Sequence, residues 1–106
     1  MNADELWKRV PQAKRIVVKV GSSTLAREGR LRPEKFTDLA RDVSALFEDG
    51  RQVVVVTSGA ITAGAHRLGW SHNGRTIREK QAAASVGQIG LVELYQRRFA
   101  RLDRNV

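Results

Sequence analysis

Two short runs constrain this chain more than any other feature: "RIVVKV", Arg15 to Val20, and "QVVVVT", Gln52 to Thr57. Both are rich in β-branched residues. Each breaks off into small polar residues, Gly-Ser-Ser-Thr after the first and Ser-Gly-Ala after the second. Short Val/Ile runs bounded by turn formers read as strands. The second is apolar at four successive positions, Val53 to Val56. Side chains alternate faces along a strand, so both of its faces are apolar, as in a parallel sheet covered on both sides.

A helix is expected between the two strands. Pro33 suits a first turn, Glu34 complements the positive end of the helix dipole, and Gly50 marks the stop. Phe36, Leu39, Val43 and Phe47 recur at three- and four-residue steps and form one apolar stripe. Strand, helix, strand is a βαβ unit, which crosses over right-handed by default. The intervening "LAREGRLR" reads as a polar connection. After Ser58 a short helix through about Leu68 should end at Gly69, followed by the turn-rich "GWSHNGRT" and a long helix from Ile77 to about Asp103. Ile77, Gln81, Ala84, Gln88, Leu91, Tyr95 and Leu102 fall near one side of that helix. Its small-residue centre, "QAAASVGQIGLV", predicts close approach by a neighbour, with Gln81 and Gln88 as polar packing between helices. The class is α/β. Two strands leave a sheet edge bare, whereas a mean sheet has about five or six, so the chain reads as the first part of a longer unit.

Composition narrows the function classes. The chain has 106 residues and no cysteine, which excludes disulfides and thiolate metal sites. No apolar run approaches the roughly 18 residues of a membrane span, and "MNADELWKRVPQAKR" lacks a signal-peptide core. A cytoplasmic protein is the expectation. Nineteen Lys and Arg against eleven Asp and Glu give a net charge of +8. The basic residues are scattered, however, except for Arg97, Arg98, Arg101 and Arg104, which read as a solvated helix face. Neither nucleic acid nor membrane is expected as a partner.

The chemistry is expected at the two strand-to-helix junctions. In open α/β sheets ligands bind outside the carboxyl ends of the strands. Ser and Gly there leave backbone N–H groups free for an anion, and a helix opening at Gly59 adds its dipole. The competing reading of "TSGA" is a helix N-cap. Lys19 lies inside an apolar strand, where burying an ammonium is costly; it is expected at a phosphate, the alternative being a head that escapes to solvent. "GAITAG" is followed by Ala65 and His66 where a P-loop needs Lys and Ser or Thr, so it is not one. His66 and His72 have no ligand-spaced partners and read as surface residues.

"RIVVKVGSSTL", "DGRQVVVVTSGAITAG" and "KQAAASVGQIGLVELYQRRF", in that order, resemble the amino acid kinase family, and within it the kinases that phosphorylate the side chain of glutamate. The resemblance runs from Arg15 to about Phe99. It implies a three-layer α/β/α fold on a parallel sheet, of which this chain is the N-terminal part. Residues 1–14 would be an extension and residues 15–106 the truncated domain. It also implies transfer of the ATP γ-phosphoryl group to the side-chain carboxylate of L-glutamate, giving glutamyl 5-phosphate for proline synthesis, with Mg2+ held together with the C-terminal half. Lys19 would be catalytic and contact the ATP phosphates, with Gly21 and Ser22 at the same phosphates. Ser58 would bind glutamate, with Thr57, Gly59 and Ala60 shaping that cradle. A homo-oligomer is expected, and an isolated chain inactive on its own. The alternatives are the kinase portion of a bifunctional pyrroline-5-carboxylate synthase, or a non-catalytic remnant that binds anions or associates with itself.

Overall fold

The computed structural model describes residues 1–106. A helix α1, Ala3–Arg9, leads through a 3-10 turn, Val10–Gln12, into strand β1, Arg15–Val20. A one-turn helix α2, Ser22–Leu25, and a small hairpin of β2, Ala26–Arg27, and β3, Arg30–Leu31, precede helix α3, Pro33–Glu48. Strand β4, Gln52–Thr57, helix α4, Ala60–Arg67, and the long helix α5, Ile77–Ala100, complete the chain. No helix is long and apolar enough to cross a membrane.

β1 and β4 pair in parallel, from Arg15 beside Gln52 to Val20 beside Thr57. The βαβ reading therefore holds, with Pro33 in the first turn of α3 and Gly50 (φ +81°) just past its end. The polar connection is more ordered than its composition suggests. Gly29 (φ +75°) turns the β2–β3 hairpin, and Leu25 of α2 is fully buried beneath it.

The core forms on one face of the sheet. Val20, Leu25, Phe36, Ala40, Val43, Leu91, Tyr95 and Phe99 are its buried members, and Val18, Val53 and Val55 pack against them. Phe36 and Tyr95 meet edge to face at 4.9 Å between centroids, a favoured aromatic geometry. The opposite sheet face is uncovered: Val17 is 62% exposed, and Val54 and Val56 are about half exposed. Both faces of β4 are apolar, as read from its sequence, but one layer of helices covers one of them. Two of the three expected layers are present.

The buried stripe of α5 differs from the expected one. Ala83, Gly87, Leu91, Tyr95 and Phe99 are buried at four-residue steps, whereas Ile77, Gln81, Gln88 and Leu102 are exposed. The reason is the approach of α4. A Cβ on Gly64 would overlap the Ala83 carbonyl oxygen, and one on Gly87 would overlap the Ala60 carbonyl oxygen and the Gly64 nitrogen. Backbones that close select glycine and alanine, not glutamine, so close approach is realised while the two glutamines point elsewhere. Phe47 likewise leaves the α3 stripe and lies 4.4 Å beneath the Arg104 guanidinium.

This contact gives a matched pair of substitutions. Gly87→Ala should destabilise the fold by about 2 kcal/mol or more through overpacking. Gly90→Ala, on the same helix with nothing within 4 Å of its added Cβ, should be neutral or stabilising by up to about 1 kcal/mol through helix propensity. Urea unfolding of the two variants measures the difference.

Candidate functional site at the two strand ends

The parallel register carries both junctions to one end of the sheet. The Ser58 N–H donates to the Val20 carbonyl at 3.0 Å, continuing the ladder one residue past β4 and holding the two turns together. Ser22 from the first turn and Ser58, Gly59, Ala60, Ile61 and Thr62 from the second then line one cavity of about 320 Å3, closed by Ala84 of α5.

Gly59 shapes the second turn. Its φ of +114° disfavours any residue with a Cβ. A Cβ there would also sit 3.3 Å from Leu31 Cδ2 and 3.5 Å from Leu91 Cδ1. The turn thus rests on the hairpin and on α5 and opens upward. α4 begins immediately after, and its first intrahelical bond is Ala63 N–H to the Gly59 carbonyl, at 2.9 Å. The N–H groups of Ala60, Ile61 and Thr62 precede that bond and have no acceptor within the helix. These three residues line the same cavity, and unpaired N–H groups at a helix start are what an anion cradle uses.

The capping alternative is not what forms. α4 starts at a glycine, which has no side chain to cap it, and the Thr57 hydroxyl turns elsewhere. Thr57 Oγ1 donates to the Ser58 carbonyl at 2.8 Å. It also shares a hydrogen bond with the Tyr95 phenol. Thr57 faces an apolar cavity of about 280 Å3 together with Val55, Val92, Tyr95 and Phe99, on the other side of the strand end from Ser58. It buttresses the turn from below. Burial raises the Tyr95 pKa above its ordinary 10.0, and the bond to Thr57 works in the opposite direction.

The structure therefore unites Ser22, Ser58, Gly59 and Ala60 and turns Thr57 away from them. Lys19 and Gly21 sit at the end of β1 beside this cavity in sequence without lining it. Lys19 is exposed, on the uncovered sheet face opposite Val56, so its ammonium bears no burial cost. Sequence reasoning missed Ile61, Thr62, Ala84 and Tyr95. Ile61 and Thr62 had a usable signal, lying three and four residues after Ser58 on an expected helix. Ala84 and Tyr95 had none, because the packing of α5 alone brings them in. Thr62 is buried and accepts from Asn73 Nδ2 at 3.3 Å, which ties the loop after α4 to the site. His66 is a surface residue as expected, while His72 is half-buried, stacked on Trp70 and accepting from the Gly74 N–H. No group of three or more His, Cys, Asp or Glu residues is placed to hold a metal ion.

A parallel sheet with two glycine- and serine-bearing turns at its carboxyl end is the layout in which open α/β sheets bind their ligands. The family model that matches the chain is described as the amino acid kinase family and covers residues 14–103; the chain belongs to that family. It is similar to proteins named glutamate 5-kinase. The one from Burkholderia thailandensis is 49% identical over 92 residues, covering 86% of this chain and 25% of the relative. That of Azoarcus sp. is 46% identical over 94 residues, 88% and 25%. That of Polaromonas naphthalenivorans is 52% identical over 85 residues, 79% and 22%. The chain spans about a quarter of the length of these relatives.

Tyr95 provides a pH test. With its folded pKa raised, its contribution to stability is fully present below the unfolded value near 10 and is lost as pH rises through the folded pKa. Tyr95→Phe should lose about 1 kcal/mol at neutral pH from the missing hydrogen bond. It should also flatten the decline of stability above pH 10, as read from denaturation midpoints of the two proteins across pH 8 to 11.

Proposed function

We propose that this chain is the N-terminal portion of a glutamate 5-kinase and carries one side of its reaction centre. The observation behind the proposal is the coincidence of two facts. The relatives named glutamate 5-kinase match across both turns, and those turns converge on one cavity lined by Ser22 and Ser58. In the proposed reaction a side-chain carboxylate oxygen of L-glutamate attacks the γ-phosphorus of ATP. The bond from that phosphorus to the β–γ bridging oxygen breaks, and ADP leaves with the electron pair, giving glutamyl 5-phosphate.

Such a transfer needs positioning and charge stabilisation more than covalent help. Ser58, with the first-turn N–H groups of α4 on Gly59's rim, holds glutamate. Ser22 and Gly21 hold the nucleotide phosphates from the neighbouring turn. Lys19 supplies the positive charge, and because its head is unpaired and exposed it is free to swing to the phosphates. Thr57 acts through the turn it supports. Mg2+ accompanies the nucleotide, and since the chain offers no cluster of ligands for it, none of its own residues is assigned to the metal. The cytoplasm, a place in proline synthesis and homo-oligomeric assembly belong to the same reading.

The test is glutamate-dependent ADP formation from ATP and Mg2+. The 106-residue chain alone should give none. Mixed with the remaining part of one of the relatives, it should regain activity, and Lys19→Ala or Ser58→Ala should then lower kcat/KM about a hundredfold or more, as removal of a transition-state donor does. Full complementation by both variants would overturn the assignment of these residues. ADP formation with an acceptor other than glutamate would overturn the substrate.

A further inference from the structure

Gly59 is buried, yet its N–H donates to no protein acceptor. Buried backbone donors are almost always paired, so an orphan of this kind beside an open cavity calls for a ligand. Gly59 lines the cavity of about 320 Å3 together with Ser22 and Ser58. What aims the donor lies one peptide away. The peptide between Ser58 and Gly59 is trans, so its carbonyl and its N–H point in opposite directions. The Ser58 carbonyl accepts from Thr57 Oγ1 at 2.8 Å. The Gly59 N–H is therefore directed away from the Thr57 hydroxyl and from the apolar cavity that Thr57 faces.

Thr57 alone would hold that peptide loosely. It is exposed, and a threonine hydroxyl at a strand end has other rotamers and water to bond to. The Tyr95 phenol bonds to the same oxygen from 38 residues away in sequence. Its ring is fixed in turn, since Tyr95 is 8% exposed and meets the fully buried Phe36 edge to face. On the other side of Ser58, its N–H is held by the Val20 carbonyl at 3.0 Å. Tyr95 lines the apolar cavity and not the one that holds Gly59, so it reaches a ligand only through Thr57 and the peptide beyond. We propose that Tyr95 is a positioning residue for substrate binding: by way of Thr57 it sets the Ser58–Gly59 peptide so that the Gly59 N–H meets a carboxylate oxygen of glutamate. This role rests on the reading of the second turn as the glutamate side of a kinase.

Amide-resolved NMR of the 106-residue chain, titrated with L-glutamate to about 100 mM, reads the Gly59 N–H directly. Its resonance should move and saturate. Tyr95→Phe and Thr57→Val should each raise the dissociation constant about fivefold, the loss of one hydrogen bond. The double variant should raise it no further, because both act through one contact. Thr57→Ser keeps the hydroxyl and should bind as the unsubstituted chain does. Val43→Ala weakens the same core but carries no part of this chain of hydrogen bonds, and should leave the dissociation constant unchanged. In the mixture with the remaining part of a relative, Tyr95→Phe should raise KM for glutamate and leave KM for ATP alone, whereas a merely structural loss would move both. A Gly59 amide indifferent to glutamate overturns the proposal. So do equal affinities with and without the phenol, additive losses in the double variant, or an equal loss in Val43→Ala. The kinase reading stands or falls separately, on whether the unsubstituted mixture forms ADP from ATP when glutamate is added.

Discussion

Everything at the candidate site depends on the six-residue parallel register of β1 and β4. Parallel pairing puts the carboxyl ends of both strands on the same side, so each strand hands the chain to a turn at one common edge. The Ser58 to Val20 hydrogen bond extends the register past the last paired residues and closes the distance between the turns. An antiparallel pair would send the two glycine- and serine-bearing segments to opposite ends and leave two isolated loops in place of one cavity.

A second contact gives that cavity its wall. Glycine and alanine at 60, 64, 83 and 87 let α4 and α5 approach until backbone meets backbone. This fixes the direction of α4 and hence of its unpaired N–H groups. The same contact carries Leu91 and Tyr95 under the strand ends, where Leu91 supports Gly59 and Tyr95 anchors Thr57. The site is thus preorganised from below by apolar packing and one buried phenol. Its upper side is open, so side chains and N–H groups there meet solvent or ligand without first breaking an internal bond.

The net charge of +8 is distributed with similar economy. Arg104 pairs with Glu48 at 2.6 Å and covers Phe47, and Arg97 approaches Glu93 at 3.9 Å. The C-terminal basic run is therefore partly structural, holding the end of α5 against α3, and not a uniform surface field. The cationic excess is not concentrated on the uncovered valine face, where Arg15 and Lys19 alone carry charge among the strand residues facing outward.

Local chemistry alone determined a good deal about this protein. β-branched runs, proline at a helix start and glycines past helix ends all act within a few residues, so β1, β4, α3, α4, α5 and the parallel order of the two strands were legible in the sequence, whereas α1, α2 and the β2–β3 hairpin were not. Also legible was the convergence of Ser22, Ser58, Gly59 and Ala60 on one end of the sheet, where they line one cavity, because alternation and turn chemistry dictate where such residues fall. What only the tertiary structure decided were the facts that require two distant segments at once. The side of α5 that is buried was set by α4, whose backbone excludes the glutamines. Thr57 lies on the side of the strand end away from the cradle, where its hydroxyl meets a tyrosine 38 residues away. The sheet kept one bare face because a strand's composition records that both faces are apolar, while only the packing of the helices determines which of them is covered.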